Sequence, residues 1–306
     1  MKRITTTLAI SAVFALSACK GGGGAGAATK YIPDAAEFVG GASISGMISA
    51  SGQKAEIEAQ INKDASAKEA IDAAKACNLD PWNLDQVVMG GTSKEDFAAV
   101  IVGTGFGKAD NLTCISGKIK EKQGGDKEPI TIEGNKATFD GGDGFGYLVD
   151  DNTLVVVSKG WDAAVKGLVD GTGTNAFDGS MKDATGLTDM GKHVWFAGKV
   201  PAEAAGALGP AAGLTMAGGS MDFSGGGLAL AAAGKFGDAA KATAAADEAN
   251  KAFEQGKAMA GMFGIPAGVV DSVKIAAEGD KITVAAKATK EELTALEAKM
   301  KEMGGM

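Results

Sequence analysis

Few side chains in this chain of 306 residues have the chemistry for catalysis or metal binding. It carries three cysteines (Cys19, Cys77 and Cys114), one histidine (His193) and one arginine (Arg3). A lone imidazole cannot build a multi-histidine metal site. His193 stands beside Trp195 at the start of an expected strand. No Gly-x-Ser-x-Gly turn or other nucleophile motif accompanies it, so it reads as a structural histidine. An enzyme would need His193, or a pair of carboxylates, held in a cleft with a shifted pKa. The 38 acidic residues are too numerous for sequence to single out such a pair. Three patterns carry a chemical reading beside an ordinary one. Val100 to Gly107 has the strand, glycines and helix start of a dinucleotide turn. Lys108 holds the place of the third glycine, and the neighbouring strands read as antiparallel, so a strand-to-helix turn is expected. Asp140, Asp143 and Asp150-Asp151-Asn152 offer oxygens for calcium without an EF-hand spacing, and Asp and Asn are ordinary turn residues. Met300, Met303 and Met306, with Met259 and Met262, have the spacing of a thioether copper cluster and equally that of an apolar helix face. No catalytic residue, cofactor or metal is expected.

The N-terminus carries the strongest motif. Met1-Lys2-Arg3 is a short cationic stretch, Ile4 to Leu16 is apolar, and Leu16-Ser17-Ala18-Cys19 follows. The apolar stretch is too short for a membrane span and has the flanks of a secretory signal. The tetrapeptide resembles the lipobox of bacterial lipoproteins. That resemblance implies cleavage before Cys19, acylation of Cys19, and membrane attachment through several acyl chains. Lys20, where an Asp would favour inner-membrane retention, implies the outer membrane. Gly21 to Ala28 then reads as a flexible tether, and residues 19–30 as lipidated cysteine plus tether. With Cys19 assigned to lipid, Cys77 and Cys114 remain as a pair in an oxidising compartment. A disulfide is expected, closing a loop worth about 4 kcal/mol in the chain-entropy model.

Composition narrows the partners. The net charge of −8 argues against nucleic acid, whose backbone demands clustered positive charge. Loss of the signal removes Arg3 and with it any guanidinium clamp for phosphate. Hydrophobic content of 45% suits a globular chain, and the 47 glycines belong to a tether and to turns rather than to disorder.

The elements that position these residues read as a divergent duplication. In the first half, residues 31–170, Phe38–Ile48 is expected as a strand and Ser66–Cys77 as a helix stopped by Asp80-Pro81. Leu84–Met89 and Phe97–Val102 are strands. Phe106-Gly107-Lys108-Ala109 opens a helix carrying Leu112, Cys114, Ile115 and Ile119. A hairpin around Glu133–Lys136, strands Phe145–Val149 and Thr153–Ser158, and helix Trp161–Val169 complete the half. The second half, residues 191–306, repeats the order. It has strand Lys192–Val200, short helix Ala202–Leu208, strands Leu214–Met221 and Gly227–Ala233, and a long helix opened by Phe236-Gly237-Asp238-Ala239 and reaching about Phe263. The hairpin Val273–Ala277 and Ile282–Ala286 follows, then helix Thr289–Met303 with a Thr289/Glu292 capping box. Residues 171–190 are the expected linker. The echoes are Gly90-Gly91-Thr92 with Gly218-Gly219-Ser220, expected to join strands in both halves, and FGKA with FGDA. EGNKATF and EGDKITV also match, across hairpins that topology does not equate. The fold expected is α+β: two related β-α-β-β-α-β-β-α halves, mainly antiparallel sheet with helices on one face.

A second resemblance spans residues 30–200. Ile32-Pro33-Asp34-Ala35 before Val39-Gly40-Gly41, Asp80-Pro81, Gly103, Phe106-Gly107, and Asp150 to Val156 together resemble a group of uncharacterised envelope lipoproteins of myxobacteria and their relatives. The group implies an envelope lipoprotein and transfers no site. The chain therefore reads as a non-catalytic binding or structural module. Its partners are the membrane and either an envelope protein or an apolar small molecule. In a carrier version, a lipid would lie between the halves against the apolar runs Ala98–Val102 and Leu154–Val157.

Overall fold

The computed structural model describes residues 26–124, 126–201, 212–261 and 264–304. The signal and Cys19 lie outside the described residues, as do most of the tether and the expected helix Ala202–Leu208. The chain divides after Lys182 into two compact units.

The first unit begins at a 3-10 turn, Ala28–Tyr31, and already Ala28 and Ile32 are buried. Its strands are β1 (Phe38–Ser43), β2 (Leu84–Gly91), β3 (Phe97–Gly103), β4 (Ile130–Glu133), β5 (Lys136–Phe139), β6 (Gly144–Asp150) and β7 (Thr153–Ser158). They pair antiparallel in the order β1-β2-β3-β7-β6-β5-β4. Its helices are α1 (Ile44–Ser51), α2 (Lys54–Ile61), α3 (Ala65–Ala76), α4 (Ala109–Gln123) and α5 (Asp162–Val169). The expected strand Phe38–Ile48 is therefore shorter. At Ile44 the apolar spacing changes from two to three and four, and Ile44, Met47 and Ile48 are buried on one helical face. Cross-strand register sets Val39, Val88, Val100 and Val155 on one face of the sheet, all essentially inaccessible. Tyr147 lies on that face too, and its hydroxyl donates to Asp162 at the start of α5 (2.5 Å). In the runs expected to be covered on both faces, Ala98, Ala99, Val100, Leu154, Val155 and Val157 are buried, while Ile101, Val102 and Val156 are half-buried.

The expected linker is packed structure. The N–H of Ala176 donates to the Ile32 carbonyl, Asn175 bridges to Pro33, and Ser180 bonds Asp34. Past the division, Leu187 lies against Gly218, and Thr188 donates to the Gly219 carbonyl (2.7 Å).

The second unit carries β8 (Val194–Lys199), β9 (Leu214–Ser224), β10 (Gly227–Phe236), β11 (Lys274–Glu278) and β12 (Lys281–Ala288). They pair antiparallel in the order β8-β9-β10-β12-β11. Helix α6 (Ala239–Ala260) follows β10, α7 (Ala267–Ser272) precedes β11, and α8 (Lys290–Gly304) closes the chain. The α8 capping box forms as expected. The Glu292 N–H donates to Thr289 Oγ1 (3.2 Å), and the Thr289 N–H donates to Glu292 Oε2 (2.7 Å). Helix α6 ends at Ala260 with Gly261 as its C-cap, and the expected end at Phe263 lies outside the described residues.

The two strand orders are the same once β4-β5 is set aside as an added hairpin. Strands β1, β2, β3, β7 and β6 correspond to β8, β9, β10, β12 and β11. Gly218-Gly219-Ser220 does not join strands, because it lies inside β9 and the turn comes at Gly225-Gly226. The echo is nevertheless structural. Phe38 pairs with Gly91, and Phe196 pairs with Gly219. A Cβ would fall 2.5 Å from the Phe38 ring at Gly91 and 2.8 Å from the Phe196 ring at Gly219. Each glycine is the bed of a cross-strand phenylalanine. The EGNK and EGDK matches are both two-residue hairpin turns, pairing Glu133 with Lys136 and Glu278 with Lys281. They share turn chemistry and are not equivalent in topology.

Candidate apolar binding site

Helix α6 lies over its sheet on small side chains. Ala242, Ala245 and Ala246 are buried and Ala249 is half-buried, the spacing of one helical face. Asp238 sets the start of the helix. Its carboxylate accepts from the Lys241 N–H (2.8 Å), which holds its pKa below the usual carboxylate value. Beneath the helix, Phe236 is buried and packs with Ala242, Ala245, Leu214 and Ile282. The strands facing α6 offer Ala217, Gly218, Ala232, Ala233 and Gly234. These side chains are too short to fill the gap between helix and sheet. What remains is an open cleft of about 230 Å³, whose lining holds alanine, glycine, phenylalanine, leucine, isoleucine and valine alone. Phe196, half-exposed, stands in its wall. Among the described residues no charged or hydrogen-bonding side chain lines it, so they discriminate by shape and apolarity.

The cleft lies wholly within the second unit. The residues expected to face an apolar ligand, Ala98–Val102 and Leu154–Val157, do not line it. The signal that locates it is the run of small residues in β9, β10 and α6, which composition alone reads as turns and helix propensity.

The other residues singled out by sequence are placed as follows. Cys77 and Cys114 form a disulfide, Cα atoms 5.5 Å apart, tying the end of α3 to α4. His193 is buried across β8–β9 from Asp222. Its Nδ1 accepts from the Phe223 N–H (2.9 Å) and meets the Asp222 carboxylate, and its ring stands edge-on to Phe223. Lys192 neutralises the same carboxylate at 3.1 Å, and the hydrogen bond and charge of Asp222 raise the lysine pKa. His193 therefore has an acidic partner, but no serine or cysteine is among its described partners and it lines neither cleft described here. The Val100–Gly107 motif is a turn. β3 is antiparallel to both neighbours, and a Cβ at Gly107 would collide with the Asp150 carbonyl. The acidic turn is spent on the backbone. Asp150 accepts from the Asn152 N–H (2.8 Å) and Asn152 Oδ1 accepts from the Gly105 N–H (3.1 Å). Among the described residues no three His, Cys, Asp or Glu side chains are placed to hold a metal. Met262 and Met306 lie outside the described residues, and Met259 is half-exposed. No described helix is long and apolar enough to cross a membrane.

Architecture and cleft together define an α+β protein with two sheet units of one strand order and an apolar cleft in the second. No family model and no curated protein matches the chain. Among solved structures it is similar to TP0453 in crystal form III, at 8% identity over 88% of this chain and 96% of that one, with a TM-score of 0.52. Crystal form I of TP0453 matches at 9% identity over 89% and 97%, with a TM-score of 0.49. The form III match is a likeness of fold across nearly the whole chain.

Proposed function

We propose that this is a lipid-anchored protein of the cell envelope, held at the outer membrane through acylated Cys19. In this reading it is a non-catalytic binding module that takes an apolar ligand in the cleft beneath α6. The observation that carries the proposal is that cleft: open to solvent, yet lined among the described residues by apolar side chains and glycine alone. An unfilled apolar surface in water is a standing free-energy cost that a hydrocarbon ligand removes, at about 25 cal/mol per Å² covered. The Leu16–Cys19 tetrapeptide supports the anchor, and the disulfide suits an exported chain. Mass spectrometry of material extracted with the detergent-purified chain tests the reading, together with titration by a fluorescent fatty acid. Ala249→Phe, at the rim of the cleft, should weaken that probe about tenfold or more, as expected for a filled apolar site. A chain that extracts no apolar compound and binds the probe equally well with Ala249→Phe overturns the ligand reading. The anchor is tested separately: Cys19→Ser should abolish palmitate incorporation and move the chain out of the membrane fraction.

A further inference from the structure

Forty residues separate β1 from β2 in the first unit, against fourteen between β8 and β9 in the second. The long connection folds into α1, α2 and α3 and encloses a second cleft, of about 260 Å³. Its floor is Ile61 and Ile71, and its wall is the indole of Trp82. The lining also holds Glu58, Asp72, Lys68, Lys75 and Asn62; Lys68 pairs with Asp72, and Lys54 pairs with Glu58 at 3.9 Å and stands 5.4 Å over the Trp82 ring. The walls are held in place. Asp64 caps α3, accepting from the Ser66 and Ala67 N–H groups (2.9 and 3.1 Å), and the Cys77–Cys114 disulfide fixes the region where α3 ends. Asp80 accepts from the Trp82 N–H (3.1 Å), and Pro81 rigidifies the turn that presents the ring.

We propose that this cleft is a saccharide-binding site for a neutral sugar. A pyranose has an apolar C–H face that stacks on an aromatic ring and hydroxyls around its edge that both donate and accept. The cleft offers the Trp82 ring, where a stacked sugar would compete with the Lys54 ammonium, and acceptors from Glu58 and Asp72, donors from Lys68 and Lys75, and both from Asn62, with hydroxyls exchanging for the Lys68–Asp72 pair. The rim mixes carboxylates and ammonium groups, with Lys68–Asp72 and Lys54–Glu58 already paired, so neither sign of charge dominates the cleft, which suits an uncharged ligand. The site is separate from the apolar cleft of the second unit, and neither proposal depends on the other.

The protein carries its own reporter. Trp161 and Trp195 are buried, and Trp82 alone of the three tryptophans is only half-buried. The detergent-solubilised full chain is titrated with chitotriose and maltotriose as neutral probes and with a sulfated tetrasaccharide as the acidic one. Binding is read by tryptophan emission and by protection from iodide quenching. At least one neutral trisaccharide should bind and protect the emission. Trp82→Ala should weaken it about tenfold, the loss of one stacked aromatic contact. Trp82→Phe keeps a ring and should retain part of the affinity, which separates a lost contact from a lost fold. Asp72→Asn and Lys75→Met should each weaken it, and Phe196→Ala should leave it unchanged. Sugars displayed as vesicle-borne glycolipid should compete with the soluble trisaccharide if the natural source is a headgroup, and the site chemistry stands in either case. Failure of both neutral probes, binding confined to the sulfated sugar, or binding indifferent to Trp82→Ala each overturns the proposal.

Discussion

The two units share a strand order and differ in what their third strand and following helix are made of. In the first, β2 and β3 present Val87, Val88, Val100 and Ile101. Helix α4 is fastened by the disulfide and by Ser116, whose hydroxyl bonds the Ile130 backbone at 3.0 and 3.1 Å. In the second, the matching strands present Ala217, Gly218, Ala232 and Gly234, and α6 lies over them on alanines without a covalent tie. A shared topology thus yields a filled valine core in one place and a cleft in the other. Side-chain volume decides between them, because interiors tolerate few voids and small residues paired across the strands, such as Ala217 with Gly234, leave one.

The largest test of that contrast is removal of the staple. Replacing Cys77 and Cys114 by Ala should cost about 4 kcal/mol by loop entropy. Peptide-resolved hydrogen exchange should show the loss in the first unit and leave the α6 region unchanged. The next is a pair of equivalent glycines in the FGKA and FGDA echoes. Gly107→Ala forces a collision with the Asp150 carbonyl and should cost about 3 kcal/mol, among the large point-mutation effects. At Gly237 only the far end of Lys241 comes near, so Gly237→Ala should be close to neutral in the same denaturation assay. Equal losses would break the contrast between the two units.

Filling tests follow. Ala217→Val should stabilise the second unit by about 1 kcal/mol while weakening the fatty-acid probe. Ala99→Val, in the buried sheet of the first unit, should destabilise by about 1–3 kcal/mol through overpacking. Thermal melts of both variants report the two signs.

The smallest effect is pH-dependent. Burial, then the hydrogen bond and charge of Asp162, push the Tyr147 hydroxyl well above its ordinary range, and burial raises Tyr31 as well. A raised tyrosine favours the folded state below about pH 10, where the unfolded phenol is still neutral. That contribution fades as pH climbs toward the folded value. Both tyrosines lie in the first unit, so alkali above about pH 10 should loosen it before the second, and Tyr147→Phe should remove about 1 kcal/mol of stability at neutral pH. Acid should act on both. Asp64 and Asp238 each cap a helix with a lowered pKa, and both contributions are present above the ordinary carboxylate range and lost as pH falls through the lowered values.

Much of the architecture was legible in the chain. The helix expected at Ser66–Cys77 and found at Ala65–Ala76, the capping box at Thr289 and the hairpin turns are local chemistry, readable from neighbours in sequence. The duplication was legible as an order of elements. Its registration was not, because Gly218-Gly219 repeats the bed beneath a phenylalanine and not the connection between strands. The strand-to-helix change at Ile44 was missed because Ile44 to Ile48 is apolar enough to suit either state.

The sequence alone carries a tetrapeptide that resembles a lipobox, a pair of cysteines in its body, a duplicated α+β order, and a histidine, His193, without a recognisable nucleophile motif beside it. Each of these rests on residue identity and short spacing. Only the tertiary structure decided that His193 meets Asp222, that residues 171–190 are packed, and that two clefts exist, one apolar and one polar. A cleft is a volume left over after strands far apart in sequence are brought into register, and no local pattern of residues records what fails to fill it.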